Sequence, residues 1–475
     1  VKDPSDGEIR LTDKGFRNLG RNPEKRRISM KKTLTVLLVI ALVMASLFAN
    51  GGTEATATAG KKTVLNVMSF TDEVPKMIER YFELHPEEAA KYELNTTIIA
   101  TTDGLYQPAL DEALAQGGAN APDIYCAEAA FILKYAQGDA SQFAATYKSL
   151  GIDVDKLIKE ADIAKYTIEI GSRNGELVGL GYQATGGAFI YNRSVAKAAF
   201  GSDDPAVVAE KIGAGTNSWD KFFQAAAELR AKGFAIVSGD GDIWHAVENS
   251  SDKGWIVDGK LYIDPKREAF LDLSKKLKDN DYHNDTQDWT EGWYADMKEA
   301  GAKKVLGFYG PAWLINYVMG GNAGDTYGDW GVCASNVGFF WGGTWVLANK
   351  DTAKKDIVAK IITWITLDSS DTGLQYFWAN GTLNGEGGTK DSVASGTVMA
   401  KSDGKLDFLK GQNMFDAFVP ANQYANGKNL TQYDETINTY WRDQVRQYTA
   451  GAKTREQAIK DFKTQVKENL DVIVE

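Results

Sequence analysis

The chain has 475 residues, 43% hydrophobic and 25% charged, with a formal charge of −11. That length can bury a large core and predicts two domains or a closely joined pair. The acidic balance argues against nucleic acid and anionic membrane as partners, since both need a cationic face. Ten Lys/Arg and five Asp/Glu fall in residues 1–49, which leaves 43 against 59 and a net −16 for residues 50–475. No arginine-rich run or zinc-ligand spacing argues otherwise.

Residues 1–29 are polar, charged and aperiodic, and read as an over-extended reading frame or a disordered leader ahead of Met30. Residues 30–49, "MKKTLTVLLVIALVMASLFA", have the three parts of an export signal: basic Lys31 and Lys32, apolar Leu34 to Val43, and a small-residue exit ending at Ala49. The apolar run stops short of the ~20 residues a spanning helix needs. Cleavage after Ala49 is expected, giving a soluble protein at the periplasmic or extracellular face. No cysteine lies near the exit, so a lipid-anchored end is not expected. Residues 50–61 are a small-residue linker. Cys126 and Cys333 are the two cysteines of an exported chain, and pairing and two buried thiols both remain open.

From residue 62 the pattern becomes α/β. "TVLNVMSF" (63–70) reads as a buried strand, and "PKMIERYFELH" (75–85) puts Met77, Ile78, Tyr81, Phe82 and His85 on one helical stripe. "ELNTTIIAT" is a second strand, "YQPALDEALAQ" a second helix closed by Gly117-Gly118, and "PDIYCAE" a third strand. Short connections between them predict a parallel, doubly wound sheet. Further on, "SWDKFFQAAAELRAKG" is a helix with Ser218 as N-cap, followed by the strand "FAIVSG". Asp264 caps a helix carrying Pro265 in its first turn, and "KVLGFYG" (304–310) is a short buried strand. "WVLANK" leads to a helix capped by Asp351, with Ile357, Val358, Ile361, Ile362 and Ile365 as its apolar face. Thr454 to Gln457 form a capping box in the helical C-terminal part.

No catalytic constellation stands out. "GLGYQA" (179–184) fits a loose dinucleotide fingerprint, but a strand-like segment follows where a helix is required. Three scattered histidines, His85, His245 and His283, suit neither a hydrolase triad nor a catalytic zinc site, and no metal or cofactor is expected. The tryptophans are more informative. Trp244, Trp313, Trp341 and Trp378 follow Gly, Asp or Pro near predicted strand ends, where parallel α/β sheets bind ligands. Together they predict an aromatic-lined cleft, which suits sugars because C–H faces stack on rings while hydroxyls need fixed polar partners. Asp72, Glu73, Glu128 and Asp242 would supply carboxylates. In "GFFWGGTWVLANK" (338–350), Gly342 and Gly343 would let the backbone approach the cleft. Trp341 would face the ligand and Trp345 the core.

Five segments in order resemble the extracellular solute-binding proteins of bacterial ABC importers, the large carbohydrate-binding family that includes maltose-binding protein. They are "AQGGANAPDIYCAE", "GLGYQATGGAFIYNRSV", "NSWDKFFQAAAELRAKG", "KVLGFYGPAW" and "FFWGGTWVLANKDTAKKDIVAKIITWIT". The resemblance spans residue 62 to the C-terminus. It departs where "MSFTDE" lacks a first-strand tryptophan and where Ala312 stands between Pro311 and Trp313. It implies a two-lobed periplasmic-binding-protein fold, each lobe a mainly parallel sheet flanked by helices, joined by crossing hinge strands. Lobe one would hold 62–184 and 336–381, and lobe two 187–330 and 383–475. The crossings would fall near 184–187, 331–335 and 382. Ligand contacts implied are Thr71, Asp72, Glu128, Trp244, Trp313, Trp341, Gly343 and Tyr433. The implied function is capture of a carbohydrate, an oligosaccharide, by a monomer that delivers it to ABC permease subunits without making or breaking a bond. The rival readings are a secreted glycoside-active enzyme and a binding protein for a polyol, a phosphodiester or a peptide.

Overall fold

Eight strands of three residues or more occur among the described residues: β1 Thr63–Ser69, β2 Tyr92–Ile98, β3 Ile124–Glu128, β4 Gly179–Gly181, β5 Ala188–Asn192, β6 Gly307–Gly310, β7 Trp330–Cys333 and β8 Thr344–Ala348. The computed structural model describes residues 61–101, 104–385, 388–427 and 429–475. The leader, export signal and linker expected over residues 1–60 lie outside them. Residues 61–475 cohere as one unit.

The first sheet runs β2-β1-β3-β8-β4. β1 buries five consecutive residues, as a strand covered on both faces must, and pairs in parallel with β2 and β3. The helix Glu73–Leu84 covers one face through Val74, Met77, Ile78 and Tyr81. β8 runs the other way against β3 and β4. The second sheet is β6-β5-β7, with both pairs antiparallel. Parallel pairing, expected in both lobes, is found in the first at β1, β2 and β3. In the second, among the described residues, it is confined to bridges, Ala235 with Val305, Val237 with His283 and Lys260 with Ile473. The cause lies in the crossings, since β5 and β7 continue chain segments that pass between the sheets in opposite directions.

Helix ends follow local chemistry with two corrections. Asp264 accepts the Lys266 N–H, and Thr454 accepts that of Gln457. Asp351 caps nothing: the helix starts at Lys355, and Thr352 Oγ1 takes the Lys354 N–H instead. Ser218 takes the Asp220 N–H from one position further out, with Trp219 as the boundary residue. Cys126 and Cys333 are both buried free thiols, packed in different cores.

The chain passes between the sheets where Thr185, Gly186 and Gly187 lie beside Phe339–Trp341. Gly187 N donates to Phe339 O at 2.9 Å, and Trp341 N to Thr185 O at 3.1 Å. Later, Ala394 N donates to Tyr182 O and Ala184 N to Ser392 O, while Gln412 bonds Val332 of β7 through both its amide atoms. Trp345 lies inside the first lobe, 1% exposed, with its indole N–H on Thr167 O at 3.0 Å. Trp345→Ala is expected to cost about 3–5 kcal/mol of unfolding free energy in urea denaturation, as large aromatic truncations in packed cores do. A loss below ~1 kcal/mol would show that the site collapses around the deletion.

Candidate functional site

Strand register brings the first half of the site together. β1 and β3 are parallel, so Thr71, just past β1, and Glu128, which ends β3, reach the same sheet edge. β8 is antiparallel, and Thr344 pairs with Glu128, which sets Gly343 and Gly342 at that edge too. Both glycines have left-handed backbones, φ 71° and 115°. A Cβ on Gly342 would sit 3.2 Å from Glu128 Oε1 and 3.3 Å from the Trp313 ring. Conformation favours glycine at both positions, and the close neighbours leave little space for a side chain.

The other half comes from the second sheet. β6 ends at Gly310, opposite Ala188, where the chain arrives from the first sheet, so Trp313 three residues later stands beside that crossing. Its indole N–H donates to Trp341 O at 3.0 Å, and the two rings meet edge to face at 4.7 Å. Trp289 lies parallel to Trp313 at 6.2 Å, and His245 stacks on Trp341 at 3.9 Å. Across these rings opens a cavity of about 660 Å³ that also receives Glu73, Gln183, Asp288, Tyr317, Glu435, Thr439 and Arg442. Its size is that of a small-molecule site.

The electrostatics are acidic and largely self-satisfied. Burial pushes the Glu128 carboxyl up from 4.5 to about 7, against the opposing hydrogen bond from the Ala130 N–H at 2.7 Å. Burial also raises Glu73, which accepts the Tyr182 hydroxyl at 2.7 Å. Arg442 is the only lysine or arginine among the described lining residues, and both its terminal nitrogens bond the Asp288 carboxylate. Burial alone would raise Asp288, but the guanidinium holds it low. His245 Nδ1 lies 3.3 Å from Glu248. Burial acts to raise Glu248, and His245, the Arg267 charge and the Asn438 amide together outweigh it and hold the carboxyl low.

Of the residues expected from sequence, Thr71, Glu128, Trp313, Trp341 and Gly343 meet at this cavity. Three do not. Trp244 is 1% exposed, packed on Phe270 inside the second lobe, because Gly241–Asn249 is a helix rather than a loop. One residue on, a 100° turn, His245 faces the cavity. Asp72 is exposed, paired with Lys76, on an adjoining depression; its neighbour Glu73 points inward. Tyr433 packs against the second core ahead of the helix Asp434–Thr449. That helix sends Ile437, Trp441 and Val445 into the core, and turns Glu435, Thr439 and Arg442 to the cavity. Asp242 is buried, accepting the Ser238 and Gly239 N–H groups and the Trp293 indole, so it braces a turn and is no ligand contact. Trp378 belongs to a helix and packs edge-on to Tyr182. The positions missed included Gln183, Tyr317, His245, Asp288, Trp289, Glu435, Thr439 and Arg442. The i, i+4, i+7 spacing of the last three was the available signal.

The family model described as bacterial extracellular solute-binding protein matches residues 87–406. The chain belongs to that family. The solved structures that resemble this solute-binding protein show the shared fold. The galacto-N-biose/lacto-N-biose I-binding protein of a Bifidobacterium longum ABC transporter, in complex with lacto-N-biose, is 15% identical, with TM-score 0.65 over 88% of this chain and 100% of that one. An ABC substrate-binding protein of Listeria monocytogenes in complex with cycloalternan is 16% identical, TM-score 0.62, over 86% and 99%. Maltose-bound MalE3 of T. maritima is 14% identical, TM-score 0.61, over 86% and 100%. No curated protein matches the chain. Membership of an extracellular family means export, and no helix among the described residues is long and apolar enough to cross a membrane.

Because the folded-state value of Glu128 lies above its ordinary one, folding favours the protonated carboxyl. The unliganded protein should therefore lose stability from this group as pH rises from 4.5 towards 7, and no further above that. Asp242, Asp391 and Asp434 are also raised to about 7 and add slopes of the same sign. The clean observable is the difference between wild type and Glu128→Gln in urea unfolding across that range. Wild type should weaken relative to the variant as pH rises, and a flat difference would contradict the assignment.

Proposed function

We propose that this solute-binding protein captures a saccharide, an oligosaccharide rather than a single ring, between its two lobes and hands it to the membrane subunits of an ABC importer. The carrying observation is the pairing of a corner of tryptophan rings with a rim of carboxylates and amides in one cavity between the two sheets. Rings supply flat apolar faces for sugar C–H groups, while Glu73, Glu128, Gln183 and Thr439 offer hydroxyl partners. Arg442 is already committed to Asp288, so no free cation awaits an anionic solute among the described lining residues. The sugar ligands of the structurally similar proteins, lacto-N-biose, cycloalternan and maltose, agree with this reading.

Binding proceeds by hinge closure: a ligand that touches both lobes only in the closed form shifts the open–closed population towards it. The moving bodies are 62–184 with 336–381 and 187–330 with 383–475. Within 383–475 the turn Ser392–Ser395 is the exception, since its backbone bonds to Tyr182 and Ala184 tie it to the first body. The crossings are those near 184–187 and 331–335 and the return after 382. No bond is made or broken. The mature protein works as a monomer after cleavage near Ala49, without a lipid anchor.

A thermal-shift screen of residues 50–475 against oligosaccharides, monosaccharides, polyols, phosphodiesters and peptides tests the class. Ligand at a hundredfold its Kd should add ~2.7 kcal/mol. Hits confined to related sugars are expected, with no turnover of chromogenic glycosides. Trp341→Ala should weaken binding about tenfold or more, or ~1.4 kcal/mol. A hit among the non-sugars alone, or turnover abolished by Glu128→Gln, would overturn the proposal.

A further inference from the structure

We infer that Trp289 is a ligand-stacking ring of the cleft, and that the buried Asp288–Arg442 ion pair is the device that positions it. The inference rests on the saccharide reading above. Trp289 has a left-handed backbone, φ 64°. A bulky side chain rarely adopts that conformation, which glycine takes freely and asparagine tolerates. Core packing accounts for only part of it: the ring meets the buried Trp293 at 5.5 Å, yet the residue is 39% exposed. What the strained backbone secures is ring orientation. The indole lies at 13° to Trp313 and at 74° to Trp341, closing a corner whose open side is the cavity. Strain of this kind persists only where neighbouring structure over-determines it.

The over-determining contact is the adjacent residue. Both terminal nitrogens of Arg442, on the C-terminal helix Asp434–Thr449, bond the Asp288 carboxylate. Their side chains are 18% and 8% exposed, so the pair is little screened and its planar fork fixes an orientation. Gly241 leaves room for it, because a Cβ there would lie 2.5 Å from Asp288 Oδ1 and 2.8 Å from Arg442 Nη2. On the other side of the turn, the Thr290 hydroxyl donates to Gln287 O at 2.7 Å. Three segments far apart in sequence thus converge to hold one ring. Asp288 and Arg442 act through Trp289, which makes them positioning residues.

The test compares wild type, Trp289→Asn, Arg442→Lys and Arg442→Met, using whichever oligosaccharide gives the largest thermal shift with wild type. Trp289→Asn should bind about tenfold more weakly or worse, while its ligand-free Tm stays equal to or above that of wild type, because asparagine relieves the backbone. A ring present for packing would instead lower the ligand-free Tm. Arg442→Met should lose affinity together with the exciton couplet of the stacked indoles in circular dichroism, and Arg442→Lys should recover part of both. Wild-type affinity in Trp289→Asn, or a fall in its ligand-free Tm, overturns this inference while leaving the saccharide reading intact. Absence of saccharide binding by wild type overturns both.

Discussion

The pairing of Thr344 with Glu128 is the contact on which the site depends. It aligns the start of β8 with the ends of β1 and β3, so the residues after β1 and β3 and those before β8 enter the same space. The spacing of that edge is tight at 342 and 343, and the left-handed backbone there favours glycine. The turn in turn sets Trp341 against Trp313, whose indole N–H closes on the Trp341 carbonyl. A backbone register in one lobe therefore fixes an aromatic contact with the other.

The cleft is built from groups that satisfy each other before any ligand arrives. Arg442 neutralises Asp288, His245 opposes Glu248, and Tyr182 donates to Glu73. Desolvation raises Glu128 and Glu73, which reduces the charge a ligand would have to meet. Such a surface offers hydrogen-bonding capacity and flat apolar faces with little uncompensated charge. Neutral polyhydroxylated molecules present that same combination.

The crossings are thin where the sheets exchange chains. Thr185 to Gly187 and Phe339 to Trp341 meet through two backbone hydrogen bonds at 2.9 and 3.1 Å, and the Thr185 hydroxyl reaches Gly342 O. The turn that lines the cavity and the crossing between the sheets are thus neighbours in the chain as well as in space. On the far side, Gln107 bonds Glu435 across the lobes, and Gln432 meets the Asp139 backbone. Contacts at that rim are exposed or half-buried, and exposed polar pairs contribute little.

The sequence by itself determined the strands and helices of the first sheet, the burial of Trp345 in the core and the position of Trp341 beside an aromatic-lined cavity. These follow from local periodicity and from glycines at positions whose backbone favours them. It did not determine which of two adjacent residues faces the cleft. Trp244 and His245 are separated by 100° on a helix whose existence the Gly-Asp-Gly-Asp run concealed, and Asp72 and Glu73 by a helix start that shifts by a residue or two. Trp289 left no periodic signal, because its orientation comes from an ion pair spanning 154 positions. Only the tertiary structure brings Asp288 and Arg442 together, since a contact between segments so far apart depends on how the C-terminal helix packs and not on the residues beside either partner.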